Sequence, residues 1–157
     1  MKTKYLLICV CCIAACTKSG IETAVNTSSA DQSKASATAI LTAHKWMYKA
    51  FYMHYIDQNH KGDPLYVRGA ANNPDEIIGT DRFTFKTNHT FSQTEGSNVY
   101  TGTWSFSDNK PTNLIMNYSW GTDRDSIIKL DALHLNFIHV FGYHGQEQSF
   151  TQLIPAQ

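Results

Sequence analysis

Beyond position 16 the chain has no cysteine: Cys9, Cys11, Cys12 and Cys16 account for all four. Residues 17–157 therefore hold no disulfide, no thiolate metal site and no cysteine nucleophile, and a fold there must be held by its core. Charge of one sign is equally scarce. Thirteen Lys and Arg stand against thirteen Asp and Glu, with no basic run and no acidic tail. That balance excludes the electrostatic footprint of a nucleic-acid-binding protein. No apolar run approaches the roughly 18 residues of a membrane-spanning helix. The motifs of common enzymes are missing as well: no G-x-S-x-G elbow, no phosphate-binding P-loop, no H-E-x-x-H and no dinucleotide fingerprint. Asp75-Glu76 and Asp123/Asp125 fall in turn-like segments, so no carboxylate pair stands out. The expectation is a protein that is not an enzyme and has no cofactor.

What is present begins at the N-terminus. Lys2 and Lys4 precede the apolar run Tyr5–Ile13, and small Ala14 and Ala15 lead into Cys16. A basic start, a short apolar stretch and a small-residue step make a secretory signal over residues 1–15. Ile13-Ala14-Ala15-Cys16 resembles the lipobox of bacterial lipoproteins. That resemblance implies cleavage before Cys16, lipid on its thiol and amine, and a membrane as partner through those chains. No Asp adjoins Cys16 and no acidic pair follows it. A lipid-anchored place in the cell envelope, on the outer membrane and facing the periplasm, is the resulting expectation. Residues 16–39 are rich in Ser, Thr and Ala and lack aromatics. Such a stretch buries too little apolar area to offset its ordering entropy, and reads as a flexible tether. The alternative there is a short helix over Ala30–Leu41, since Ala and Lys favour helix.

Residues 40–157 have another character. All three tryptophans and all eight phenylalanines lie there. Apolar residues recur with a period of two. In Tyr100–Phe106, Tyr100, Gly102, Trp104 and Phe106 share one face, and Thr101, Thr103 and Ser105 the other. This is the pattern of a half-buried antiparallel strand. Further strands are expected at residues 44–56, 82–86 and 90–94, along the face of Leu114, Met116, Tyr118 and Trp120, and at 126–130, 133–141 and 149–154. Turn residues separate them, as in Asp108-Asn109-Lys110-Pro111 and Gly121-Thr122-Asp123-Arg124. About eight strands at hairpin spacing predict an all-β domain, a single antiparallel up-and-down barrel. Closure removes exposed edges, and eight strands leave room for packed side chains or one small ligand.

The order of several short motifs points the same way. Leu41–Trp46 reads LTAHKW, and Phe83-x-Phe85, Phe91, Gly102-Thr103-Trp104, Ile127-Ile128-Lys129-Leu130 and Leu133-His134-Leu135 follow. This order resembles the lipocalin-like (calycin-like) domains on small lipoproteins of Bacteroidota-type bacteria. The resemblance implies a barrel with one closed and one open end, and names no ligand.

Aromatic side chains supply the candidate pocket: Tyr48 and Tyr52 beside Trp46 on one face of the first strand, Tyr100 and Trp104 on the central strand, and Tyr118 on the next. A pocket of aromatics with a few polar tips suits a small apolar or amphipathic ligand. Trp46, Trp104, Phe83 and Phe85 read more readily as barrel filling. His134 and His139 are five apart and fall on opposite strand faces. His139 and His144 could meet only across a hairpin tip over 142–146, which gives no metal site to assign. The long connection 57–81 reads as a lid or side flap, with Leu65, Tyr66 and Val67 folded back. Two functions fit: a barrel that binds or carries a small ligand in the envelope, or a filled barrel that docks an envelope protein.

Overall fold

The computed structural model of the protein describes residues 33–107, 111–141 and 147–157. Cys16, the signal and the first part of the tether lie outside the described residues. So do the 108–110 turn and the 142–146 tip with His144.

A single sheet runs through the molecule. Its strands are β1 (Lys45–Met53), β2 (Asp63–Val67), β3 (Arg82–Phe85), β4 (Thr90–Glu95), β5 (Asn98–Phe106), β6 (Asn113–Asn117), β7 (Thr122–Asp131), β8 (His134–Phe141) and β9 (Glu147–Pro155). Neighbours from β3 to β9 pair antiparallel in chain order, and β9 returns to pair with β1 from Trp46↔Pro155 to Met53↔Ser149. The other edge of β1 is divided. Lys45–Met47 pair with β3, and Ala50–Met53 pair with β2. The result is a closed antiparallel barrel of eight strands, up-and-down in order, with β2 as an extra strand on the upper half of β1.

One end is closed. Trp46, Phe85, Trp104, Phe106, Leu114, Leu130, Leu135 and Leu153 fill it, all buried. Helix α1 (Lys34–Thr42) lies under this end against β3 and β7. Ser33 caps the helix, its Oγ accepting from the Ser36 amide at 3.2 Å. The Trp46 indole Nε1 donates to the Leu41 carbonyl at 2.9 Å and satisfies one of the orphan carbonyls at the helix end. Ala37 and Leu41 are 0% exposed. Helix α1 thus occupies residues 34–42, largely within the Ala30–Leu41 stretch where a short helix is the alternative to the tether. A weak apolar stripe, Ala37, Ile40 and Leu41, carries a helix into the stretch that composition assigned to the tether.

Two irregularities re-aim side chains. In β1 the register with β9 shifts between Tyr48 and Ala50. Such a bulge turns later residues to the opposite face. Phe51 therefore faces the interior beside Thr151, while Tyr52 faces outward and stacks on Phe150 at 6.2 Å. In β7 a similar shift between Ile127 and Lys129 leaves Ile128 exposed and keeps Ile127 and Leu130 both inside.

Residues 57–81 form wall, not lid. β2 extends the sheet, and a short 3-10 helix, Ile77–Thr80, fits between β1 and β4 beyond the start of short β3. Tyr66 is buried, with its ring against Gly79. Arg68 ties the segment down, its Nε donating to the Tyr48 carbonyl at 2.9 Å.

Gly102 shows why the Gly-Thr-Trp element needs its glycine. A Cβ there would collide with the Asn117 carbonyl and come within 2.7 Å of the Phe91 ring. At the Thr87-Asn88-His89 turn, the left-handed residue is His89, with φ 63°, while the Asn88 side chain accepts from the Thr90 amide. We expect Gly102→Ala to destabilise the barrel by about 2 kcal/mol or more through forced backbone movement. Leu41→Ala should cost about 2–5 kcal/mol by opening a cavity under the closed end. Urea unfolding followed by circular dichroism measures both.

Candidate functional site

The opposite end of the barrel is open. An inner chamber of about 140 Å³ lies there. Its apolar wall comes from Phe51, Phe83, Met116 and Phe137. Its polar groups come from Tyr48, Gln93, Tyr118, Asp123, Asp125, His139, Ser149 and Thr151. Gln93, Tyr118 and Asp123 also line a wider basin of about 480 Å³ outside the chamber, completed by Glu95, Tyr100 and Trp120. The two spaces form one funnel with these three residues at its neck.

The sequence-selected residues divide accordingly. Tyr48 and Tyr118 line the chamber, and Tyr100 and Tyr118 the basin. Tyr52 does not reach either space, because the β1 bulge turns it onto Phe150. Trp104 is not at the pocket. It is 1% exposed in the closed half, where its indole Nε1 donates to the Lys86 carbonyl at 3.1 Å and its ring meets His89 at 4.8 Å. Trp120 is 64% exposed at the rim, stacked on Tyr118 at 4.7 Å and edge-on to Tyr100 at 5.1 Å.

Sequence reasoning missed the polar residues. Asp123 and Asp125 read as turn because Gly121-Thr122 precedes them, but β7 already starts at Thr122. The alternation Asp123, Asp125, Ile127 then puts both carboxylates inside. That alternation was the available signal. Gln93 had the same signal, lying two residues beyond Phe91 on the inner face of β4.

Hydrogen bonds order the funnel. The Tyr118 hydroxyl donates to Gln93 Oε1 at 2.6 Å, and Gln93 Nε2 donates to Glu95 Oε1 at 2.7 Å. On the facing wall, His139 Nδ1 and Asp125 Oδ1 are 2.7 Å apart. Asp125 is 1% exposed. Burial raises its pKa, opposed by the hydrogen bond to His139. That bond in turn raises the pKa of His139, against the effect of burial. The pair holds its protons more tightly than the free groups do. Burial also pushes the Tyr48 phenol well above its ordinary range, with Asp81 and Glu95 adding to the shift. Tyr48 is half-buried and lines the chamber. Among the described residues its hydroxyl has no hydrogen-bond partner. Glu95 is raised by burial and then by Asp81, which itself accepts from the Gly96 amide at 2.9 Å.

Among the described residues no group of three or more His, Cys, Asp or Glu could hold a metal ion. None of their helices is long and apolar enough to cross a membrane. The arrangement offers binding: an apolar chamber, polar groups fixed by their neighbours, and open access.

The His139–Asp125 pair has a measurable pH signature. A raised histidine pKa contributes stability that is fully present below its unfolded value of about 6.5 and is lost as pH rises through the folded value. Asp125, also raised, acts in the same direction at lower pH. In an NMR titration, His139 should titrate above the ordinary histidine value. In Asp125→Asn it should titrate lower than in the parent, since burial then acts without the carboxylate. The extra stability of the parent at pH 6 over pH 8 should shrink in that variant.

No protein-family model matches the chain, and no curated protein matches it. Solved structures do. The chain is similar to a DUF4847 family protein from Bacteroides vulgatus ATCC 8482, with 20% identity and a TM-score of 0.48 over 73% of this chain and 94% of that one. It is also similar to a lipocalin-like protein from Bacteroides uniformis ATCC 8492, with 12% identity and a TM-score of 0.44 over 74% of this chain and 99% of that one.

Proposed function

We propose that this protein binds a small amphipathic ligand at the open end of its lipocalin-like barrel, and that lipid on Cys16 holds it in the cell envelope. The chamber carries this reading. A barrel that served only as a solid scaffold would continue its apolar filling to the top. Here the filling stops at Phe83, Met116 and Phe137, and the space above is lined by oriented polar groups, among them a tyrosine hydroxyl without a partner. These groups are open to the chamber, and an amphipathic guest that enters can take up their hydrogen bonds. The inner chamber alone is smaller than the roughly 300 Å³ of a typical ligand site. The basin supplies the remainder, so the ligand spans both.

The envelope setting rests on the lipobox resemblance in residues 13–16. The competing reading, a docking module for an envelope protein, draws on the exposed Trp120 and Val99. Native mass spectrometry of the full-length chain after exposure to a total lipid extract separates the two. Ligand binding predicts a discrete added mass that disappears in Thr151→Phe, a substitution that fills the chamber, while the far-ultraviolet circular dichroism is kept. A bare mass at every extract concentration would reject a lipid ligand and favour a protein partner.

A further inference from the structure

We infer that the funnel recognises an organic cation: an ammonium group seated in the basin, carried on an apolar body about the size of one aromatic ring in the chamber. This rests on the ligand-binding reading above and gives the ligand its chemistry.

Three observations lead there. The first is charge. The residues lining the funnel include three carboxylates, Glu95, Asp123 and Asp125, and one cationic group, His139. His139 is already committed to Asp125 at 2.7 Å. The basin itself is lined by Glu95 and Asp123 with no basic side chain. Its charge is therefore not compensated from within its lining.

The second is hydrogen-bond polarity. Gln93 spends its carbonyl on Tyr118 and directs its amide group to Glu95. Tyr118 spends its proton on Gln93. What faces the basin is largely acceptor: the other Glu95 oxygen and Asp123. A basin whose polar lining offers mainly acceptors favours a guest that brings donors.

The third is the aromatic rim. Tyr100, Trp120 and Tyr118 make a continuous cluster, with centroids 5.1 and 4.7 Å apart. All three line the basin together with the two carboxylates. Aromatic faces beside carboxylates are the setting in which ammonium groups gain both ion pairing and cation–π attraction. Below the neck, a chamber of about 140 Å³ with Phe51, Phe83, Met116 and Phe137 on its wall is of the order that holds a single benzene-sized ring. A fatty chain would exceed it.

Isothermal titration calorimetry of the full-length chain tests this with three probes of one shape: 2-phenylethylamine, 2-phenylethanol and 3-phenylpropanoate, at neutral pH and low salt. The amine should bind about tenfold more tightly than the alcohol, and the carboxylate most weakly. Raising salt to about 0.5 M should reduce the amine's advantage and leave the alcohol unchanged. Glu95→Gln and Asp123→Asn, separately and together, should remove the preference without weakening the alcohol. Trp120→Leu should weaken the amine alone. Should either acidic variant fail to fold, the salt titration and Trp120→Leu still decide. Equal binding of the three probes, or preference for the carboxylate, overturns the cation and leaves the ligand-binding reading standing. Absence of binding by all three also overturns it, and the ligand-binding reading then falls only if the lipid-extract experiment gives a bare mass as well.

Discussion

Everything in this molecule depends on what β1 is made to pair with. One edge zips to β9 along nearly its whole length and closes the barrel. The other is split between β3 below and β2 above. An eight-stranded sheet closed this way has no free edge along its wall except where β3 is too short. The segment 57–81 repairs that gap. The closed end follows from the same strand, because its first inward residue, Trp46, both fills the interior and ties α1 in place.

The division between a packed half and an open half is the main determinant of function. In the lower half, large aromatic and leucine side chains exclude water, and the polar indole nitrogens of Trp46 and Trp104 are satisfied by backbone carbonyls. In the upper half the inward positions switch to tyrosine, glutamine, aspartate, histidine, serine and threonine. The switch follows the strands: Phe91 gives way to Gln93, Met116 to Tyr118, Ile127 to Asp125, and Leu153 to Thr151. Each strand carries both halves of the design within a few residues.

The sequence was legible wherever local pattern decides. The alternation in Tyr100–Phe106 announced a strand, and its glycine proved to be a point of close backbone approach. Strand number and closure followed from spacing and turn residues. Two kinds of information were not local. A bulge is set by pairing with a partner strand, so nothing within Lys45–Met53 reveals that Tyr52 leaves the face of Trp46 and Tyr48. The start of β7 was hidden because Gly, Thr, Asp and Arg together have the composition of a turn, although the alternation of Asp123, Asp125 and Ile127 was there to be read. The helix ranked only as the alternative to a tether for a related reason. Three apolar residues among Ser, Thr and Ala are a weak stripe by themselves, and the apolar core at the barrel's base makes them sufficient.

The position of that helix sets an orientation for the whole molecule. It lies across the base, and β9 ends at the base as well. Whatever precedes Ser33 therefore joins the protein at the side opposite its opening, as a stem joins a cup. The chain thus enters the barrel at its sealed, tightly packed face, and the funnel opens on the far side of the molecule. Small molecules can reach the mouth without passing the point where the chain enters.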